Sequence, residues 1–239
     1  MGGDGTVNEV VNGMASSDAP AELAVIPRGT GVDFVRTFDI PSDLDDAVRV
    51  ACAGRSRAID LGRATYRAWS GNEAQSYFAN VASVGMSGAI AKRVNESKSR
   101  LAKASYFFAT LSVFARWQTG EVRVSVDDET RSGRMRDVVV ANGRYFGAGM
   151  KICPEAEPDD GLLDALVIGD VTKVDLALTL PKIYRGTHLP HPKAELLRGR
   201  SVSVEAAVPL PIQLDGEQPG TTPVRFEIQP RALRLRVPA

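Results

Sequence analysis

Apolar residues recur along this chain with two different periods, and the change from one to the other divides it. Val7, Val10, Val11 and Met14 follow the spacing i, i+3, i+4, i+7, which predicts an amphipathic helix directly after Thr6. An apolar strand is expected at 23–26, then a turn at Pro27-Arg28-Gly29-Thr30-Gly31. A helix over 45–53 comes next, with Leu44, Ala47, Val48, Val50 and Ala51 as its apolar positions. Helix and strand in alternation read as an α/β layer on a parallel sheet. From Arg57 the texture becomes that of strands: 77–84, 122–126, 138–141, 162–168, 202–205, 224–228 and 233–237, separated by turn residues. That pattern predicts an antiparallel, β-rich second unit, interrupted by helices at 88–94, 104–117 and 172–184. The expected division is 1–58 and 59–239, with the last strand returning to the first unit.

Composition narrows the setting. Lys plus Arg, 29, balance Asp plus Glu, 29, in 239 residues, so no basic excess draws the chain to nucleic acid. Cys52 and Cys153 stand alone, without the spacing of a disulfide framework or zinc site. No apolar run reaches membrane-spanning length and no export signal is visible, so a cytoplasmic location is expected.

The chemistry begins at Gly2-Gly3-Asp4-Gly5-Thr6. Glycines let the backbone turn sharply and approach a ligand, Thr6 can donate a hydroxyl, and the helix that follows presents free N–H groups to an anion. No strand precedes this turn, and the expectation is that part of the site lies outside the chain. The second Gly-Thr turn, at Gly29 and Thr30, follows the next strand and lies at the same end of a parallel sheet, where ligands bind. Asp159-Asp160-Gly161 and Asp215-Gly216-Glu217 read singly as turns. Together with Asp4 and Asp33 they offer the hard oxygen ligands that Mg²⁺ on phosphates requires and, in Asp215 or Glu217, a base for a hydroxyl acceptor. His188 and His191 read as loop residues, Asp127-Asp128-Glu129 as a hairpin turn, and the aromatic face of Tyr106, Phe107, Phe108, Leu111, Phe114 and Trp117 as core.

In series, these motifs resemble the diacylglycerol kinase catalytic-domain family, which includes bacterial lipid kinases and sphingosine and ceramide kinases. The resemblance is carried by Gly2 to Glu9, Pro27-x-Gly29-Thr30-x-x-Asp33-Phe34, Phe78-x-Asn80 before Gly85, Pro154 to Leu162, and Asp215-Gly216-Glu217. It implies a partial α/β ATP-binding unit followed by a β-sandwich-like unit with a few helices, and a cleft between them. It implies ATP and Mg²⁺ as cofactors and phosphoryl transfer to a diacylglycerol-like or sphingoid alcohol, in phospholipid metabolism. Gly2, Gly3, Asp4, Gly5, Thr6, Val7 and Asn8 match the triphosphate loop, and Gly29 with Thr30 the second nucleotide loop. Asp4, Asp33 and Asp160 match an acidic group linked to Mg²⁺ through waters. A structural Mg²⁺ is implied at Glu157, Asp160 and Leu162, with Glu157 and Leu162 using backbone carbonyls. Glu217, with Asp215 beside it, matches the general base. Peripheral membrane contact is implied, and a homodimer is compatible. Val32 stands where the family usually has asparagine, which removes an amide from the acidic cluster. Two rivals stand beside this reading: an NAD kinase or phosphofructokinase-like phosphotransferase, and a truncated, non-catalytic lipid- or nucleotide-binding remnant.

Overall fold

The structure, a computed structural model, describes residues 1–17, 21–29, 32–96, 113 and 116–239. Thr30, Gly31 and most of the expected 104–117 helix, with Tyr106, Phe107, Phe108, Leu111 and Phe114, lie outside the described residues. In chain order the elements are α1 (Asp4–Ala15), β1 (Glu22–Leu23), α2 (Asp33–Thr37), α3 (Leu44–Ala53), β2 (Arg55–Ala68), β3 (Glu73–Phe78), β4 (Val81–Gly85) and α4 (Met86–Glu96). There follow β5 (Gly120–Val126), β6 (Glu129–Ala141), β7 (Tyr145–Phe146), β8 (Met150–Lys151), β9 (Leu163–Gly169), α5 (Lys173–Arg185), β10 (Ala194–Gly199), β11 (Ser201–Ala206), β12 (Ile212–Leu214) and β13 (Gly220–Val237).

Most of the strands join one sheet in the order β10-β9-β6-β5-β11-β13-β2-β3, and among the described strand pairs only β1 on β13 is parallel. The sheet forks twice. The first half of β6 pairs with β5 and its second half with β4, which β12 joins; β13 pairs first with β11 and later with β1. Alternating residues of these long strands turn inward and close the sheet over a core that includes Phe78, Val124, Val140, Leu163, Val204 and Phe226. A second core seats the helices: Val7 and Val11 of α1 and Phe34, Val35 and Phe38 pack on Ile59, Leu61, Leu233 and Leu235. The α/β layer thus rests on one end of β2 and β13. The fold is a mostly antiparallel, sandwich-like sheet with few helices and a short α/β layer.

Two differences from the sequence pattern have local causes. The expected strand 77–84 is two strands, broken at Ala79 and Asn80, because the N–H groups of 79, 80 and 81 turn to one buried carboxylate. The expected strands 224–228 and 233–237 are one, β13, with a bulge between Gln229 and Leu233 where Arg231 has φ 53° and donates its N–H to Asp60. The longest partner of β13, β2, starts at Arg55, and neither β2 nor β10 was expected. Thr172 opens α5 with a capping box to Asp175, at the boundary the pattern gives.

One buried carboxyl makes stability depend on pH. Asp137 is 3 % exposed and accepts the N–H and the hydroxyl of Ser87 at the start of α4. Burial pushes it up to about 7, against the lowering effect of those bonds. Between the ordinary carboxyl value and about 7 the folded state holds a proton that the unfolded state releases. Stability therefore falls as pH rises through that window, by up to about 1.4 kcal/mol per pH unit, and levels off above it. Asp33 and Asp215, each pushed up to about 6, add to the slope at lower pH, so urea midpoints measured from pH 6 to 8 should isolate the Asp137 contribution and Asp137→Asn should flatten that part; an unchanged slope there would remove Asp137 as its source.

Candidate active site

The glycine turn is built into the fold by backbone bonds. Gly2 donates to the Ile26 carbonyl at 3.2 Å and accepts from Arg28 N–H at 2.9 Å, forming a parallel bridge with Pro27. This brings Gly2–Thr6 beside Pro27–Gly29, as two turns at one end of a parallel pair. Helix α1 starts at Asp4 with Gly3 as its N-cap, so the first-turn N–H groups of Asp4, Gly5 and Thr6 have no helical acceptor. Val7 N–H already bonds the Gly3 carbonyl at 3.1 Å and its side chain is core. Asn8 is buried too, donating to the Tyr77 carbonyl and to Asp215. Both residues therefore hold the loop against the sheet; the open part of the turn is Gly2 to Thr6.

Asp4 joins the two loops. Its carboxylate accepts Asp33 N–H at 3.0 Å and Phe34 N–H at 3.2 Å, capping α2. Asp33 in turn accepts Ala148 N–H at 2.8 Å from a loop whose Gly147, Ala148 and Gly149 all have positive φ. Burial first, and then the neighbouring Asp4 charge, push Asp33 up to about 6, while Arg36 Nε, 3.6 Å away, opposes the shift. Asp4 is raised as well, by burial. Asp33 Oδ1 is buried without a hydrogen-bond partner. Two raised carboxyls, with an Asp33 oxygen that makes no hydrogen bond and faces Arg36 Nε at 3.6 Å, suit a divalent cation reached through water, and this pair fits that part of the expected Mg²⁺ site.

The late Asp-Gly-Glu segment is a two-residue hairpin turn. Asp215 and Gly216 have φ 49° and 96°, and Leu214 and Glu217 exchange backbone bonds across it. Asp215 points inward. Its Oδ2 accepts Ala79 N–H at 2.8 Å and the Asn8 amide at 3.4 Å, and its Oδ1 accepts Asn80 N–H at 3.0 Å and Val81 N–H at 2.9 Å. It is the carboxylate that breaks the strand at 79–80, and burial still pushes it up to about 6. An acid so occupied ties α1, the 79–81 turn and the hairpin together, and does not share proton abstraction with Glu217 as the sequence suggested. Glu217, the next side chain after the turn, lies over the glycine loop: its Oε1 is 3.8 Å from where a Cβ on Gly5 would stand.

Asp160 is not part of this group. It belongs to a separate cluster, with Oδ1 accepting Leu162 N–H at 2.9 Å and Oδ2 bound by the Arg198 guanidinium. The proposed ligand set of Glu157, Asp160 and Leu162 therefore has its only side-chain carboxylate already engaged, and no cluster of three or more His, Cys, Asp or Glu able to hold a metal exists among the described residues. That set does not fit a bound Mg²⁺. His188, expected in a loop, is buried with Nε2 on the Ile152 carbonyl at 3.0 Å, and His191 accepts Lys193 N–H.

Sequence reasoning missed the 142–149 segment. Asn142 and Gly143 donate to the Asn80 carbonyl, Arg144 N–H to Thr37, and the Asn80 amide to the Tyr145 carbonyl at 2.7 Å. A Cβ on Gly143 would stand 2.1 Å from Asn80 Oδ1, so only glycine permits this approach. The glycines at 143, 147 and 149 were the available signal.

A glycine turn at a helix start, two paired acids and an acid over the turn define a phosphotransferase-type site. Residues 1–64 match the family model of the diacylglycerol kinase catalytic domain, and 80–237 that of the YegS C-terminal NAD kinase beta sandwich-like domain; the chain belongs to the diacylglycerol kinase family of lipid kinases. It is 33% identical over 240 residues to a Pseudomonas aeruginosa protein named "Probable lipid kinase YegS-like", spanning 100% of this chain and 75% of that one. It is 27% identical over 226 residues to a diacylglycerol kinase of Staphylococcus saprophyticus, spanning 94% and 71%. In fold it is similar to a diacylglycerol kinase from Bacillus anthracis (TM-score 0.71, 21% identity, 98% and 74% covered) and to yeast NADH kinase (TM-score 0.54, 10% identity, 98% and 58%).

Proposed function

We propose that this chain carries out ATP-dependent phosphoryl transfer to the hydroxyl of a diacylglycerol-like or sphingoid lipid. The observation that carries the reading is Glu217, held by a hairpin over the first turn of α1. ATP with Mg²⁺ would supply the γ-phosphoryl group and the cation that neutralises its charge. The N–H groups of Asp4, Gly5 and Thr6 and the dipole of α1 hold phosphate oxygens. Asp4 and Asp33 would orient the cation's water shell; the alcohol approaches from the Glu217 side, Glu217 accepts its proton as the oxygen attacks the γ-phosphorus, and the bond to the β,γ-bridging oxygen breaks to release ADP. The division of labour follows the expected boundary, with 1–58 binding nucleotide and 59–239 supplying the base and the acceptor side. Peripheral membrane contact suits α5: Val174 and Leu178, 66% and 69% exposed, lie four residues apart, and Lys182 and Arg185 add positive charge towards an anionic bilayer. No helix among the described residues is long and apolar enough to cross a membrane.

The test offers γ-labelled ATP and Mg²⁺ with diacylglycerol, a sphingoid base, NAD⁺ or fructose 6-phosphate. Label should appear in the solvent-extractable lipid product alone. Label transferred only to NAD⁺ or the sugar phosphate would replace this reading with the phosphotransferase rival, and no transfer to any acceptor would leave the binding remnant.

A further inference from the structure

The turn at 157–162 is held by arginines from two different strands. Arg57 of β2 makes a bidentate fork on Asp159, with Nε and Nη2 each 2.8 Å from a carboxylate oxygen. Arg198 of β10 stands directly across the sheet from Asp164 of β9 in register. Its Nε is 3.1 Å from Asp164 Oδ1, and Nη2 reaches on to Asp160. The Asp164 side chain is 2% exposed and that of Asp160 is 21% exposed. The backbone of the turn is satisfied as well. Asp60, fully buried in β2, accepts Gly161 N–H at 2.7 Å and donates its own N–H to the Pro158 carbonyl at 2.7 Å.

Resemblance places a structural Mg²⁺ on this turn, with the Asp160 carboxylate as its one charged ligand. Magnesium needs oxygen ligands at about 2.1 Å in a near-octahedral shell. Here one Asp160 oxygen accepts a backbone N–H and the other a guanidinium that is itself anchored on a buried carboxylate. We infer that Arg198 is the resident cation of this turn: it bridges Asp160 and Asp164, neutralises the position assigned by resemblance to Mg²⁺, and makes the 157–162 turn independent of metal. The cation partnering Asp4 and Asp33 is a separate matter, since Asp160 has no bond to either. A guanidinium gives a fixed fork and no exchange with solvent ions, so the shape of the turn would not vary with free Mg²⁺.

Thermal melts of the nucleotide-free chain test this without reference to the reaction catalysed. They compare EDTA with Mg²⁺ for the wild type, Arg198→Met, Asp160→Asn and the Arg198→Met/Asp160→Asn double variant. The wild type should gain no Mg²⁺ stabilisation that Asp160→Asn removes. Arg198→Met should melt about 4 °C lower in EDTA, a breakage of a partly buried pair read through the usual shift for a chain of this size, and Mg²⁺ should restore part of that loss only while Asp160 is present. A wild-type gain with Mg²⁺ that Asp160→Asn abolishes would overturn the inference, because Asp160 would then bind metal with Arg198 in place. An Arg198→Met protein that melts like the wild type in EDTA would overturn it also. Should Arg198→Met not fold in EDTA, Arg198→Lys is read instead: retention of charge should keep its melt within about 2 °C of the wild type and insensitive to Mg²⁺, and a Mg²⁺-dependent melt would count against it.

Discussion

Replacing Glu217 by Gln should lower kcat for the proposed lipid phosphorylation by about 10³-fold, the range of a lost general base, and should leave ATP affinity within about twofold. The expectation rests on position. Leu214 and Glu217 close a turn with positive φ at Asp215 and Gly216, which fixes the backbone from which the Glu217 side chain leaves, and that side chain extends over Gly5. Gln has the same shape and can hydrogen-bond a hydroxyl, yet it cannot accept the proton when the oxygen attacks. Steady-state kinetics with a short-chain diacylglycerol, paired with binding of a fluorescent ATP analogue, separate the two effects. A variant with unchanged kcat and raised KM would make Glu217 a binding residue and would refute its assignment as base.

Asp215→Ala costs about 4 kcal/mol of folding stability. Three backbone N–H groups, of Ala79, Asn80 and Val81, and the Asn8 amide lose their acceptor together, and each buried orphan costs roughly 1–3 kcal/mol, offset where the turn relaxes towards water. Asp215→Asn keeps one acceptor oxygen and turns an NH₂ towards the remaining donors, so about half of that loss is expected. Urea unfolding of both variants measures this directly. A loss below about 1 kcal/mol in the alanine variant would mean that the three donors find other partners, and Asp215 would no longer explain the break between β3 and β4. Catalysis should fall in both variants as well, since Asp215 fixes the hairpin that carries Glu217 and, through Asn8, the helix that carries the glycine turn.

How far these features could be read in advance differs by element. The period of Val7, Val10, Val11 and Met14 marked α1, and the expected helix 172–184 matched α5, because a helix is written in contacts three and four residues apart. Strands were harder. β2 runs from Arg55 to Ala68 with Arg57, Asp60 and Gly62 among its residues, and no local alternation shows that Asp60 is fully buried and bonded to the 158–161 turn. β13 looked like two strands, since the bulge at Gln229–Leu233 resembles a turn until its partner β2 is known. The aspartates were the least legible. Asp4, Asp33, Asp160 and Asp215 were read as candidates for one centre, yet the first two form an acidic pair, the third is neutralised by Arg198, and the fourth is a buried hub.

By itself the sequence determined the kind of chemistry: a glycine turn opening a helix, a second Gly-Thr turn, and an Asp-Gly-Glu segment in a fixed order. It did so because each motif is local, its residue types dictated by the backbone conformation or the ligand it must serve. Only the tertiary structure decided which acid does what. A carboxylate's role depends on how deeply it is buried and on which donors reach it, and those donors come from Ala79, Ala148, Arg198 and Arg231, brought to their acids across separations of up to 171 residues. Asp215, Asp60 and Asp160 are short acidic side chains in turns or strands and look alike in sequence. The fold makes one a strand breaker, one an anchor for a loop and one the partner of an arginine.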